Sequence, residues 1–178
     1  MKDKSLETLE KYVKNKKVLD IGCVGQIEKW ARHEYIKSLN PYLLIGVDIV
    51  ESSRENVECK DLCKKEDAFY MYDKYGKFDI IVMYDVIEHI DNTGLILENL
   101  KFLTRKDTLI LISTPNAISD KWLNQAKSLK RTKINPDHVH WFCYQTLSYL
   151  FNRYGYKSIE VVSENLEPRL VQIFKEKE

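Results

Sequence analysis

Apolar positions along this chain come in two patterns that alternate: short continuous blocks, and stripes spaced three or four residues apart. Leu6, Leu9, Tyr12 and Val13 have helical spacing, and the block at residues 17–21 predicts a first strand. Ile27, Trp30, Ala31 and Tyr35 then form a helical stripe, followed by an apolar run at 43–49 that ends at an acid. A weaker strand is expected at 57–62. The clearest block is 78–84, where Ile80, Ile81, Val82 and Met83 follow one another without alternation. Unbroken runs of this kind suit parallel strands covered on both faces. Ile96, Leu100 and Leu103 lie on one side of a helix that Asp91 or Asn92 caps. Residues 108–113 form another buried strand, broken by Pro115. Leu147, Leu150, Phe151 and Tyr154 make a last helical stripe, stopped by Gly155 where helices favour glycine. Residues 156–162 and 170–174 close the chain as a hairpin.

Seven strands alternating with helices predict an α/β fold: a doubly wound, mostly parallel seven-stranded sheet with a C-terminal antiparallel hairpin. At 178 residues the chain suits a single domain spanning 1–178. A basic segment, about 118–136, interrupts the alternation with Lys121, Lys127, Lys130, Arg131 and Lys133 around Trp122 and Leu123. Its place between a strand and the last helix suits a lid or a substrate-facing insertion.

Charge and composition narrow the class. With 28 basic and 27 acidic residues the net charge is +1, so the chain as a whole carries no strong attraction for nucleic acid or membranes. No run approaches the roughly 20 apolar residues that span a bilayer, and residues 1–13 lack the apolar core of a signal peptide. Cys23, Cys59, Cys63 and Cys143 show no paired spacing for a zinc ribbon, and free thiols in the cytoplasm are expected. Cys143 reads as structural.

In a doubly wound sheet, ligands bind outside the carboxyl ends of the strands at the point where strand order reverses. The first strand ends there in Asp20-Ile21-Gly22-Cys23-Val24-Gly25, and the second in Asp48-Ile49. Glycine lets the backbone turn tightly and lie against a ligand. A carboxylate ending the second strand is able to accept hydrogen bonds from both hydroxyls of a ribose. Asp20 discriminates between ligands. It would repel the pyrophosphate of a dinucleotide, and the chain has no GxGxxG, whereas a cationic sulfonium with an amino group favours an acid.

These segments resemble the class I S-adenosylmethionine-dependent methyltransferases, which have a Rossmann-like sheet. The matching pieces are VLDIGCVG (18–25), GVDI (46–49), KDL (60–62), FDIIVMYDVIEHI (78–90) and LISTPN (111–116), in the expected order across nearly the whole chain. The resemblance implies that Asp20, Gly22 and Gly25, with Cys23, line the methionine part of the cofactor. It implies that Asp48 and Ile49 face the ribose, that Asp61 and Leu62 border the adenine, and that Tyr84 closes the site. Val24 and Gln26 occupy two positions where the family turn has glycine, and Asp48 lies further along than the roughly 20 residues typical of such folds.

The segment Asp85-Val86-Ile87-Glu88-His89 follows the fourth strand. If a helical turn begins here, Asp85, Glu88 and His89 share one face. With Asp137-His138-Val139-His140-Trp141 further on, it resembles the acid–x–x–Glu–His motif and later Asp-His of small-RNA ribose 2′-O-methyltransferases, and the motif of ubiquinone-biosynthesis O-methyltransferases. That resemblance implies a divalent cation, Mg²⁺ or Mn²⁺, held by Asp85, Glu88, His89 and His138, with Asp85 where the family has Glu. A metal-free reading stands beside it, in which His89 or His138 is the general base with Glu88 nearby. Asn116 lies near the expected substrate mouth, and Trp30, Trp122 and Trp141 are aromatic candidates whose default role is packing.

The expected activity is O-methylation of a hydroxyl on a small-molecule or saccharide acceptor. The alternative acceptor is an RNA ribose, motivated by the two motifs and the basic segment. An alternative of another class is a non-catalytic methyltransferase-like binding domain.

Overall fold

The computed structural model describes residues 4–24, 30–129, 135–163 and 167–178. Its strands are β1 (Lys17–Ile21), β2 (Leu43–Asp48), β3 (Val57–Cys59), β4 (Ile80–Tyr84), β5 (Leu109–Pro115), β6 (Tyr156–Val161) and β7 (Arg169–Glu176). They form one sheet in the order β3-β2-β1-β4-β5-β7-β6. The first five pair in parallel, and β7 is antiparallel to both β5 and β6. The helices are α1 (Lys4–Tyr12), α2 (Ala31–Ser38), α3 (Lys65–Tyr75), α4 (Thr93–Leu103), α5 (Asp120–Leu129) and α6 (Tyr144–Arg153). No helix among the described residues is long and apolar enough to cross a membrane.

The unbroken apolar run of β4 follows from helices packed on both faces. Ile80, Val82 and Tyr84 point to one side, with Leu9 of α1, Val13 just after it and Ile36 of α2. Ile81 and Met83 point to the other, with residues of α3, α4 and α6. Alternate side chains of a strand face opposite ways, so a strand buried twice needs no polar alternation. Ile96, Leu97, Leu100 and Leu103 of α4 are all buried, and truncating one such leucine to alanine costs about 2–5 kcal/mol. Of the two expected caps it is Asn92 that acts, accepting from Leu95 N at 3.3 Å. Gly155, at φ +89°, follows α6 as expected.

Several expectations are corrected. The buried residues of α2 are His33 and Ile36, not the Trp30, Ala31 and Tyr35 stripe, because Asp20 draws a histidine into the interior. Ile27 lies outside the described residues. Pro115 ends β5 inside the ladder, paired with Arg169, on a side where antiparallel β7 supplies the neighbour. β3 is a three-residue edge strand, shorter than the expected run. α3 carries only two buried positions, Ala68 and Met71, too few to mark a stripe. The basic segment begins as helix α5, while Lys130, Arg131 and Lys133 lie outside the described residues.

Strand order reverses between β1 and β4: the chain goes outward from β1 to β2 and β3, then returns past it to β4 and β5. The carboxyl ends of β1 and β4 therefore flank a crevice that no crossover covers.

Candidate active site

The expected cofactor half of the crevice is built from the turn after β1. Gly22 sits at φ +78°, and a Cβ there would come within 2.3 Å of Val86 Cγ2. Only glycine meets both demands. Its N–H donates to Val47 O at 2.8 Å, tying the turn to β2. Asp48 strengthens that tie: Oδ2 accepts from Val24 N at 2.7 Å and Oδ1 from Val50 N at 3.0 Å. A carboxylate has about four lone-pair sites, and these two backbone amides take one on each oxygen.

Asp20 is fully buried in β1, and its Oδ2 faces His33 Nδ1 at 2.9 Å. Among the described residues its Oδ1 has no hydrogen-bond partner. Burial raises the Asp20 carboxyl above its ordinary range, and the His33 hydrogen bond opposes that shift. Cys23 is packing: a Cβ on Gly46 would lie 2.7 Å from its Sγ, so β2 needs glycine opposite it. Burial, with the Asp20 and Asp48 carboxylates, holds that thiol protonated.

The expected adenine side is mixed. Ile49 is 74% exposed, an apolar side chain left at the carboxyl end of β2. Asp61 forms a turn, accepting from Cys63 N at 3.0 Å. The Leu62 side chain belongs to the core and its carbonyl accepts from Asn99 Nδ2 at 3.0 Å. Tyr84 points into the α1 and α2 face, where its hydroxyl donates to Ser5 O at 3.0 Å. The side chains of Leu62 and Tyr84 are thus committed to the interior, which leaves their backbones to border a ligand. Gly25 lies outside the described residues.

The reaction half follows β4, and here the shared helical face of Asp85, Glu88 and His89 is corrected. Asp85 adopts φ +57°, and only a 3₁₀ turn, Ile87–His89, follows. The Asp85 carboxylate is ion-paired with the Arg169 guanidinium, whose Nη1 also donates to Ser113 Oγ at 3.0 Å. Asp85 therefore stands apart from the expected metal set.

The remaining three residues do converge. Glu88 is 1% exposed; its Oε2 accepts from Thr114 Oγ1 at 2.9 Å and its Oε1 has no hydrogen-bond partner among the described residues. Burial pushes its carboxyl up to about 7. The Glu88 carbonyl accepts from Val139 N at 2.9 Å and His140 N at 3.1 Å, which docks the segment before α6 onto the 3₁₀ turn. His89 Nδ1 lies 3.1 Å from the Asp137 carbonyl. A carbonyl only accepts, so neutral His89 carries its proton on Nδ1 and keeps the Nε2 lone pair. His138 meets His89 edge to face, with ring centroids 4.6 Å apart. Burial and the neighbouring His89 lower the His138 pKa, favouring its neutral form. One ligand atom from each of Glu88, His89 and His138 lies within 4.8 Å of the others.

Around this cluster, Trp122 of α5 meets Trp141 edge to face at 5.3 Å. The Asn116 amide is occupied by backbone, donating to Glu167 O at 3.1 Å and accepting from Ile118 N at 3.3 Å, which fits a structural role. Cys143 caps α6, its backbone N–H bonded to Thr146 Oγ1 at 3.0 Å. Trp30 packs on His33 beneath the Arg54 guanidinium. His33 and Arg169 carried no signal in the sequence, because each meets its carboxylate only through the fold.

A family model of the methyltransferase domain matches residues 1–161. The chain belongs to that methyltransferase family. The ubiquinone biosynthesis O-methyltransferase of Glaesserella parasuis is 34% identical over 116 residues, 61% of this chain and 49% of that protein. The chain thus spans about half the length of curated methyltransferases it matches. Among solved structures, a SAM-dependent methyltransferase from Archaeoglobus fulgidus superposes with a TM-score of 0.66 at 21% identity, covering 96% of this chain and 91% of the other. The 1,6-didemethyltoxoflavin-N1-methyltransferase of Burkholderia thailandensis, solved with S-adenosylhomocysteine, gives 0.65 at 13% identity, covering 98% and 79%. The fold is that of the class I S-adenosylmethionine-dependent methyltransferases.

Proposed function

We propose that this chain moves a methyl group from S-adenosylmethionine to a hydroxyl oxygen of a small or sugar-like acceptor. The observation that carries the reading is the convergence of Glu88, His89 and His138 beyond β4, beside the glycine turn of β1. The relatives whose names specify an O-methyltransferase support an oxygen acceptor.

The residues present suit the cofactor. Asp48 would hold the ribose diol, and exposed Ile49 would meet the adenine with the backbone around Asp61 and Leu62. Asp20 has a buried oxygen without a partner that suits the amino group, and Gly22 leaves room for the methionine chain. The Tyr84 backbone would complete the border. When bound, S-adenosylmethionine supplies an electrophilic methyl and a thioether leaving group. The chain's own task is then to orient the acceptor and take the hydroxyl proton. Neutral His138 and the Nε2 of His89 are the available bases, and the backbone bonds from Val139 and His140 to Glu88 fix them in place.

A second reading adds a divalent cation on Glu88, His89 and His138, favoured by the partnerless Glu88 Oε1 among three donor atoms. Bound there, a cation would lower the pKa of a coordinated hydroxyl. One carboxylate with two imidazoles suits Mn²⁺ better than Mg²⁺. The test is turnover with labelled S-adenosylmethionine against catechol, sugar and oligoribonucleotide panels, with and without EDTA. A methyl ether product on a catechol or sugar supports the main reading, and product only on RNA replaces the acceptor class. EDTA-sensitive turnover restored by Mn²⁺ supports the cation, and EDTA-insensitive turnover removes it. No turnover alongside firm S-adenosylhomocysteine binding favours a non-catalytic domain.

A further inference from the structure

We infer that His33 is a positioning residue of the cofactor site, holding Asp20 so that one carboxylate oxygen is kept for the amino group of the ligand. The inference rests on the cofactor reading above. Its basis is an asymmetry within one buried side chain: Asp20 Oδ2 is 2.9 Å from His33 Nδ1, and Asp20 Oδ1 has no partner. A buried carboxylate oxygen left without a donor is costly, and such a vacancy in a folded protein calls for an explanation. A cationic amino group is the chemistry that satisfies it.

His33 is itself fixed from several sides. It is 6% exposed on α2, and the edge of Trp30 meets its ring with centroids 5.8 Å apart. Trp30 in turn carries the Arg54 guanidinium 4.2 Å above its ring. Gly46 makes room beside it, since a Cβ there would come 3.1 Å from His33 Cε1. A ring held this firmly fixes which way the Asp20 carboxylate faces, and a set geometry spares the ligand the cost of ordering it. His33 acts through Asp20.

The test uses two ligands that differ at the group in question. S-adenosylhomocysteine has the amino acid portion, and 5′-methylthioadenosine has the adenosine and thioether without it. Dissociation constants are measured calorimetrically for the wild-type chain, His33→Leu and His33→Asn, with melting curves as the check on folding. The asparagine amide stands near the histidine Nδ1 position and donates, whereas leucine fills space without donating. The expected result is at least a tenfold loss for S-adenosylhomocysteine in His33→Leu, methylthioadenosine within twofold, and recovery to within threefold in His33→Asn. If leucine prevents folding, His33→Phe keeps an aromatic ring against Trp30 and carries the same test. Equal weakening of both ligands, or of neither, overturns the positioning role. Failure of the wild-type chain to bind either ligand overturns the cofactor reading itself and the inference with it.

Discussion

The two ends of the sheet both carry charged side chains, and they use them in opposite ways. At the amino ends of the strands, Asp79 accepts from Lys17 N at 2.9 Å and pairs with Arg105, while Lys175 reaches Asp107 at 3.0 Å. These charges neutralise one another at the surface. A cavity of about 400 Å³ opens there, between Tyr12, Asp79, Arg105 and Leu109. Of its lining charges, Asp79 pairs with Arg105 across the cavity wall and Asp107 with Lys175. At the carboxyl ends, Asp20 and Glu88 are buried with one oxygen each left over, and Gly22 and Asp85 adopt positive φ. The two buried carboxylates with an oxygen unpartnered among the described residues, Asp20 and Glu88, both lie at the end where a doubly wound sheet binds its ligand.

The comparison breaks most sharply at the imidazoles. Replacing His138 or His89 with alanine is expected to lower kcat by about 10²–10⁴-fold, the usual range for a positioned base. The S-adenosylhomocysteine dissociation constant should stay within about threefold; loss of binding in parallel would mean the cluster only supports the fold. Gly22→Ala comes next. Strain at φ +78° and the collision with Val86 are expected to weaken S-adenosylhomocysteine binding by on the order of tenfold to a hundredfold. The melting temperature should fall about 2–4 °C for each kcal/mol of strain. Binding and melting equal to the wild type would show that the turn is not the cradle.

Glu88 sharpens the comparison through pH. Its folded carboxyl titrates near 7, above its ordinary 4.5, because burial disfavours the charge. The folded state therefore holds the proton more tightly than the unfolded chain. This stabilising contribution is complete below pH 4.5 and is lost as pH rises through 7. In EDTA, Glu88→Gln should therefore gain stability over the wild type between those limits, by on the order of 2–3 kcal/mol at pH 8. Denaturant melts across that range check it, and parallel curves for the two proteins would contradict it. The smallest effect belongs to the other end of the sheet. Arg105→Ala removes a solvent-exposed pair and should cost about 0–1 kcal/mol, with turnover unchanged.

Local patterns in the sequence carried the sheet and much of the crevice. β4 was legible because burial on both faces removes alternation, and Gly155 because few other residues end a helix at positive φ. Gly22, Asp48, Glu88 and His89 stand out in the sequence because each lies at or just after a strand end, and His138 because of the later Asp-His. α3 was not legible, since Phe69, Tyr70 and Tyr72 stand among its exposed residues and blur any stripe. Nor was the fate of Asp85, whose Arg169 partner is 84 positions away and arrives only when β7 pairs antiparallel with β5. His33 interrupts the apolar stripe expected of α2, and its reason for being buried is a carboxylate on another element. Pairings of this kind depend on register and topology, which periodicity does not encode.

The most direct test of the cofactor site is titration calorimetry of the purified chain with S-adenosylhomocysteine, using NAD as the control. One-to-one binding of S-adenosylhomocysteine, weakened on the order of tenfold to a hundredfold in Gly22→Ala and absent for NAD, is the result expected. No measurable S-adenosylhomocysteine binding, or equal binding of NAD, would contradict the assignment of the crevice between β1 and β4.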